Sequence, residues 1–122
     1  MASILLVDDD EQFRTMLSES LSQAGYEVNE ARDGREGIQS YRDHPCDLII
    51  TDLIMPEKEG LETIQELRRR YPEVKIIAIS GGSRHGSFDY LKMAQAFGAR
   101  RMLAKPFTRM EILEAVSQVL AQ

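Results

Sequence analysis

Four short apolar runs in this chain end abruptly on a polar or charged residue. Ile4-Leu5-Leu6-Val7 stops at Asp8-Asp9, Leu48-Ile49-Ile50-Thr51 at Asp52, Ile76-Ile77-Ala78-Ile79 at Ser80, and Met102-Leu103-Ala104 at Lys105. Runs of this length that lack polar alternation predict strands buried on both faces, and the segments of helical period between them make the sheet parallel. In a parallel sheet the C-terminal strand ends share one edge, and ligands of open α/β sheets bind in the crevice there. Asp8, Asp9, Asp52, Ser80 and Lys105 are therefore expected to converge, although they come from opposite ends of the chain.

Between the runs, the apolar positions recur with helical spacing. Asp10 can cap a helix from Glu11 to Ala24 with an apolar stripe of Phe13, Leu17, Leu21 and Ala24, stopped by Gly25. Tyr26 to Ala31 reads as a strand nearer the sheet edge. Asp33-Gly34 then turns the chain into a short helix carrying Ile38 and Tyr41, which ends before Pro45. The third strand is expected over Asp47 to Thr51. After the Met55-Pro56 turn, Gly60 leads into a helix presenting Leu61, Ile64, Leu67 and Tyr71 and closed by Pro72.

The fourth strand spans Val74 to Ser80. The glycine-rich stretch that follows it, from Ser80 to Ser87, matches neither a P-loop nor a dinucleotide fingerprint and reads as a mobile loop. Phe88 to Phe97 reads as a helix stopped by Gly98, and Arg101 to Ala104 as the fifth strand. Thr108-Arg109-Met110-Glu111 is a capping box opening a last helix with Ile112, Val116 and Val119 or Leu120 inward. Met16, Met93 and Met110 read as helix packing residues. Right-handed crossovers with one reversal of winding give a doubly wound five-stranded sheet of order 2-1-3-4-5, with helices on both faces in an α/β/α sandwich.

Composition narrows the function classes. A chain of 122 residues with 43% hydrophobic and 29% charged positions supports one domain over residues 1–122, and no output domain is expected within it. With 15 basic against 20 acidic residues the net charge is −5, and the basic residues cluster only at Arg68-Arg69-Arg70 and Arg100-Arg101. Nucleic acid and anionic membranes are therefore unattractive partners. The lone Cys46 excludes an internal disulfide, no apolar run approaches the roughly 18 residues of a membrane span, and no leader pattern precedes the first strand. The expected compartment is the cytoplasm. His44 and His85 fall in surface loops and receive no role.

Three carboxylates brought together would repel one another and raise at least one pKa unless a cation neutralises them. With no His or Cys beside them, Asp8, Asp9 and Asp52 form a hard-oxygen set that suits Mg²⁺, with Mn²⁺ as a substitute. A divalent cation and an ammonium group beside a carboxylate are the requirements of phosphoryl transfer to that carboxylate. Asp52, alone at its strand end, is the candidate nucleophile. Asp8 and Asp9 share the metal, Lys105 pairs with phosphoryl oxygens, and Ser80 donates a hydrogen bond to them.

Val7-Asp8-Asp9, Asp52-x-x-Met55-Pro56-x-x-x-Gly60, Ser80-Gly81 and Lys105-Pro106-Phe107, with Ala31-x-Asp33-Gly34 after the second strand, resemble the motifs of the two-component response-regulator receiver domain, the CheY-like family. The resemblance covers the whole chain. It implies a flavodoxin-like (βα)5 fold and phosphorelay signalling, with a sensor histidine kinase or histidine phosphotransfer protein phosphorylating Asp52. It further implies that Mg²⁺ is held by Asp9, Asp52 and the Ile54 backbone carbonyl, with Asp8 acting largely through water, and that Lys105–Pro106 is a cis peptide. A downstream protein is expected at the face made by the Phe88–Phe97 helix, strand five and the last helix.

Three departures from the commonest pattern bear on the switch. Met102 stands where the family usually has Tyr or Phe, so Ser80 with the loop after it is expected to carry the readout and Met102 to act as an adaptable filler. Ser80 replaces the commoner Thr, and the segment from Ser80 to Lys105 is somewhat longer than in compact receivers. Two other readings compete. One is a receiver-like binding module that is not phosphorylated. The other is an enzyme, a phosphohydrolase of the haloacid-dehalogenase type, suggested by Asp8-x-Asp10 and Ser80. That enzyme needs an acidic pair after the lysine, whereas only Glu111 and Glu114 follow Lys105, both on the last helix. A flavin-binding site is disfavoured because the acidic run after strand one would repel the cofactor phosphate.

Ile54 and Gly82, each two residues beyond a site residue, have no polar group to orient water for attack on an acyl phosphate. Spontaneous dephosphorylation should be slow, and Ile54→Asn should accelerate it. Decay of labelled protein after donor removal checks this, and a wild-type half-life of only seconds would contradict it.

Overall fold

The alternation of side chains along a strand divides the buried residues of this sheet into two sets, one for each helical layer. In the computed structural model, which describes residues 2–53, 60–80, 92 and 95–122, the strands are β1 (Ser3–Val7), β2 (Glu27–Ala31), β3 (Leu48–Asp52), β4 (Ile76–Ser80) and β5 (Arg101–Ala104). The helices among the described residues are α1 (Glu11–Gln23), α2 (Gly34–Asp43), α3 (Gly60–Arg70) and α4 (Arg109–Leu120). All strand pairs are parallel, in the order β2-β1-β3-β4-β5. Leu5, Val7, Ile49, Ile76 and Ala78 pack with Ile38, Leu61, Ile64 and Leu67 of α2 and α3. Ile4, Leu6, Leu48, Ile50, Ile77 and Ile79 pack with Leu17, Leu21, Ile112 and Val116 of α1 and α4. Each fully buried Leu or Ile contributes about 2 kcal/mol by removal from water.

Local chemistry sets the helix ends. Asp10 caps α1 by accepting from the Phe13 N–H, and Asp33 caps α2 by accepting from Glu36. Thr108 and Glu111 complete both halves of the capping box on α4. Gly25, at φ 100°, ends the α1 segment in the left-handed region that a side chain disfavours. β1, β3 and β4 are buried almost throughout, whereas β2, at the sheet edge, buries only Ala31 fully. Polar Glu27, Asn29 and Glu30 leave that edge solvated, which disfavours strand addition.

Several expectations need correction. Met16 and Met110 are 60% and 76% exposed and pack no core, because they fall off the stripes centred on Leu17 and Ile112. Ala24 caps α1 and is exposed, while Ala115 joins the inner face of α4 and Leu120 is only half-buried. Tyr26, Asp47 and Val74 precede their strands, and Tyr71 follows α3, where it packs edge-on against Tyr41 with centroids 4.8 Å apart. Of the helix expected over Phe88–Phe97, Lys92, Gln95 and Ala96 are helical. Its remainder, the glycine-rich loop, His85 and Met93 lie outside the described residues, apart from Ser80 and Phe97. Among the described residues no helix is long and apolar enough to cross a membrane.

Gly60 has a steric reason. A Cβ there would overlap the Asp52 carbonyl oxygen and the Leu53 Cα, both backbone, and the Gly60 N–H donates to the Leu53 carbonyl at 2.9 Å. Gly60→Ala should therefore cost at least about 2 kcal/mol, because the backbone beneath Asp52 has no flexible atom to yield. Urea unfolding checks this, and an unchanged midpoint would refute the close approach.

Candidate functional site

Asp8 and Asp52 extend the rows of side chains that face α1 and α4. Asp8 continues Ile4 and Leu6, and Asp52 continues Leu48 and Ile50 beside the parallel partner β1. Lys105 follows Leu103 by two positions, on the row of the same face. One oxygen from each of Asp8, Asp9 and Asp52 lies within 4.8 Å of the other two. The Lys105 Nζ is 3.3 Å from Asp8 Oδ2. Strand alternation thus delivers two acids and an ammonium group to one side of the switch point between β1 and β3.

Asp8 is the buried centre of this cluster, at 1% exposure, whereas Asp9 is exposed. Burial pushes the Asp8 carboxyl above its ordinary 3.8, against the Asp10 N–H at 2.9 Å and the Lys105 ammonium, which both favour the charged form. The neighbouring Asp9 charge is the smallest cause. Mutual repulsion was the expected origin of such a shift, but desolvation by the end of β1 outweighs it. Arg14 holds the backbone here: it donates to the Asp8 carbonyl at 2.7 Å and pairs with Glu30 at 2.9 Å, tying the end of β1 to β2.

Ser80 lies one residue beyond Ile79, the partner of Asp52 in β4. It continues the Ile76–Ala78 row, which faces the opposite helical layer, and Met102 is the register partner of Ala78 on that row. The Ser80 Oγ is buried with no hydrogen-bond partner among the described residues, and an unsatisfied buried hydroxyl of this kind costs about 1–3 kcal/mol. Met102 is half-buried against the same core cluster. The Lys105–Pro106 bond is cis. Ile54 lies outside the described residues, so its carbonyl has no described position.

Phe13 and Arg14 were not identified from the sequence as site residues. In the sequence Phe13 is only a member of the apolar stripe, yet the Lys105 Nζ lies 3.8 Å from its ring centroid and the Phe107 ring packs edge-on against it at 5.9 Å. The hydrophobic period of α1 carries no signal for either contact.

A doubly wound parallel sheet with an acidic triad and a lysine at its switch point defines a CheY-like α/β protein. Residues 4–117 match the profile of the response regulator receiver domain. The chain is 35% identical over 118 residues to the chemotaxis protein CheY of Thermotoga maritima, covering 95% of each. It is 32% identical to the CheY of Halobacterium salinarum, over 96% of this chain and 95% of that one. A response regulator receiver domain protein from Clostridium thermocellum superposes with a TM-score of 0.92 at 28% identity, covering 99% of this chain and 95% of that one. The chain belongs to the response regulator receiver domain family, whose members serve phosphorelay signalling.

The displaced Asp8 equilibrium has a consequence for stability. Its folded-state pKa lies above the unfolded value, so just above pH 3.8 the folded protein keeps a proton that the unfolded chain releases. Stability from this group is therefore present at low pH and is lost as pH rises through the folded pKa. Asp8→Asn has no charge to desolvate and should melt higher than wild type at pH 7 in EDTA, by a margin that shrinks toward pH 4. Thermal melts at both pH values check this, and a margin that grows at low pH would contradict it.

Proposed function

We propose that Asp52 accepts a phosphoryl group from the phosphohistidine of a sensor histidine kinase or histidine phosphotransfer protein, and that the modification switches binding of a downstream protein. The observation that carries this reading is the gathering of Asp8, Asp9, Asp52 and the Lys105 ammonium at one sheet edge. An Asp52 oxygen forms the new bond to phosphorus as the phosphorus–nitrogen bond breaks, and the donor imidazole leaves with that electron pair. Lys105 offsets charge on the phosphoryl oxygens and positions them. On this reading the chain catalyses only its own phosphorylation and dephosphorylation at Asp52. The cytoplasm is the compartment in which we place it.

The donor set fits Mg²⁺, since it offers carboxylate oxygens without His or Cys and is open to water at Asp9. Asp9, Asp52 and the Ile54 carbonyl would hold the ion, with Asp8 acting through water; Mn²⁺ would substitute. When bound, it supplies neutralisation of the phosphoryl oxygens.

The readout follows from Ser80. A phosphoryl group adds about −1.5 to −2 charge and three acceptor oxygens. The buried, unpartnered Ser80 hydroxyl can donate to one of them, and its row-mate Met102 can shift into the space left behind because a thioether adapts to irregular gaps. The partner surface proposed is that of β5, α4 and the segment Phe88–Phe97.

Acetyl phosphate should label Asp52 only with Mg²⁺ or Mn²⁺ present, and Asp52→Ala should abolish labelling on a phosphate-affinity gel. Ser80→Ala should still be labelled but should lose most of the phosphorylation-dependent gain in partner affinity, whereas Met102→Ala changes it modestly. Retained labelling in Asp52→Ala would sink the assignment.

A further inference from the structure

The Lys105 ammonium is held from two sides. Asp8 Oδ2 lies 3.3 Å away, and on another side the centroid of the Phe13 ring lies 3.8 Å away. A cation over an aromatic face is attracted by the ring quadrupole, most strongly where water is scarce, and the Lys105 side chain is 22% exposed. The ring itself is well anchored. Phe13 occupies the first turn of α1, its N–H donates to Asp10 Oδ1 at 3.1 Å, and the Phe107 ring abuts it edge-on with planes 86° apart. Phe107 follows the Lys105–Pro106 pair directly, so the segment that delivers the ammonium also supplies the ring that braces Phe13.

We propose that Phe13 is a positioning residue that holds the Lys105 ammonium against Asp8 in the unphosphorylated protein and thereby weakens divalent-cation binding at the acidic cluster. The proposal rests on the reading of Asp8, Asp9 and Asp52 as a cation site. The ammonium and a divalent cation draw on the same Asp8 charge, and two positive charges within a few ångströms repel. Any contact that fixes the ammonium beside Asp8 therefore raises the free energy of the metal-bound state. The ring lies on the lysine, and its influence on the metal passes through the ammonium. This makes Phe13 a setting for the metal threshold of the site without being a ligand.

Calorimetric Mg²⁺ titration of the full chain tests the idea. Phe13→Leu, which keeps an apolar side chain in the α1 stripe, should bind Mg²⁺ about two- to fivefold more tightly, the range that a cation–π contact of ordinary strength implies. Phe13→Tyr keeps the ring and should match wild type. In a Lys105→Met background the same Phe13→Leu change should leave Mg²⁺ affinity unaltered, whereas a merely structural role would shift it in both backgrounds. Proton spectra of the metal-free protein add a second readout: the Lys105 ε-methylene should resonate upfield of a solvated lysine through the ring current, and Phe13→Leu should abolish that displacement. Unchanged or weaker Mg²⁺ binding in Phe13→Leu, an equal effect with and without Lys105, or a persistent upfield shift would overturn the proposal. Mg²⁺ binding that survives Asp9→Ala undiminished would instead overturn the cation-site reading.

Discussion

The site depends on a carboxylate forced into a poorly solvated position. Asp8 follows a strand whose last four residues are buried, and its own side chain is 1% exposed. A charged carboxylate there costs free energy unless other groups compensate it, and one lysine and one backbone N–H compensate it only in part, since the group's pKa remains raised. Asp9 and Asp52 bring two more acids to the same place. The chain therefore gives up stability to keep an excess of negative charge at this sheet edge. Arg14 donates to the Asp8 carbonyl and so ties down the backbone that carries this carboxylate.

In the proposed cycle the two-sided sheet separates chemistry from readout. Asp8, Asp52 and Lys105 belong to rows that face α1 and α4, whereas Ser80 and Met102 belong to the row that faces the opposite layer. β4 links the two, because Ile79 pairs with Asp52 on one side of the sheet and the next residue carries the unpartnered hydroxyl on the other. An orphan buried hydroxyl is a small reservoir of unfavourable energy that a new acceptor can relieve. In the proposed cycle, that relief couples a charge change on one face to packing on the other, through a strand end that both faces share. The Phe13–Lys105–Asp8 contact adds a counterweight on the first face, since the lysine proposed to serve the phosphoryl group already has favourable partners.

The amino-acid pattern by itself determined the sheet, its order, the caps on α1 and α4, and the meeting of Asp8, Asp9, Asp52 and Lys105 at one edge. Runs of buried β-branched residues separated by helical periods leave few alternatives, and a parallel sheet places its strand ends together by geometry alone. Tertiary structure decided what periodicity does not encode. A hydrophobic period reports that Phe13 faces inward, but not that a lysine from the far end of the chain rests on its ring. It reports Met16 and Met110 as apolar, but not that each falls off the buried stripe. Charge counting anticipated a raised acid in the cluster and assigned it to repulsion, whereas the dominant cause, desolvation of Asp8, depends on how completely neighbouring elements cover the end of β1. The need for glycine at position 60 likewise arises only when the chain returns against the backbone of Asp52 and Leu53. Local patterns specify which face of an element is buried; which distant atoms meet that face is settled by packing, and in this protein those distant atoms set the electrostatics of the site.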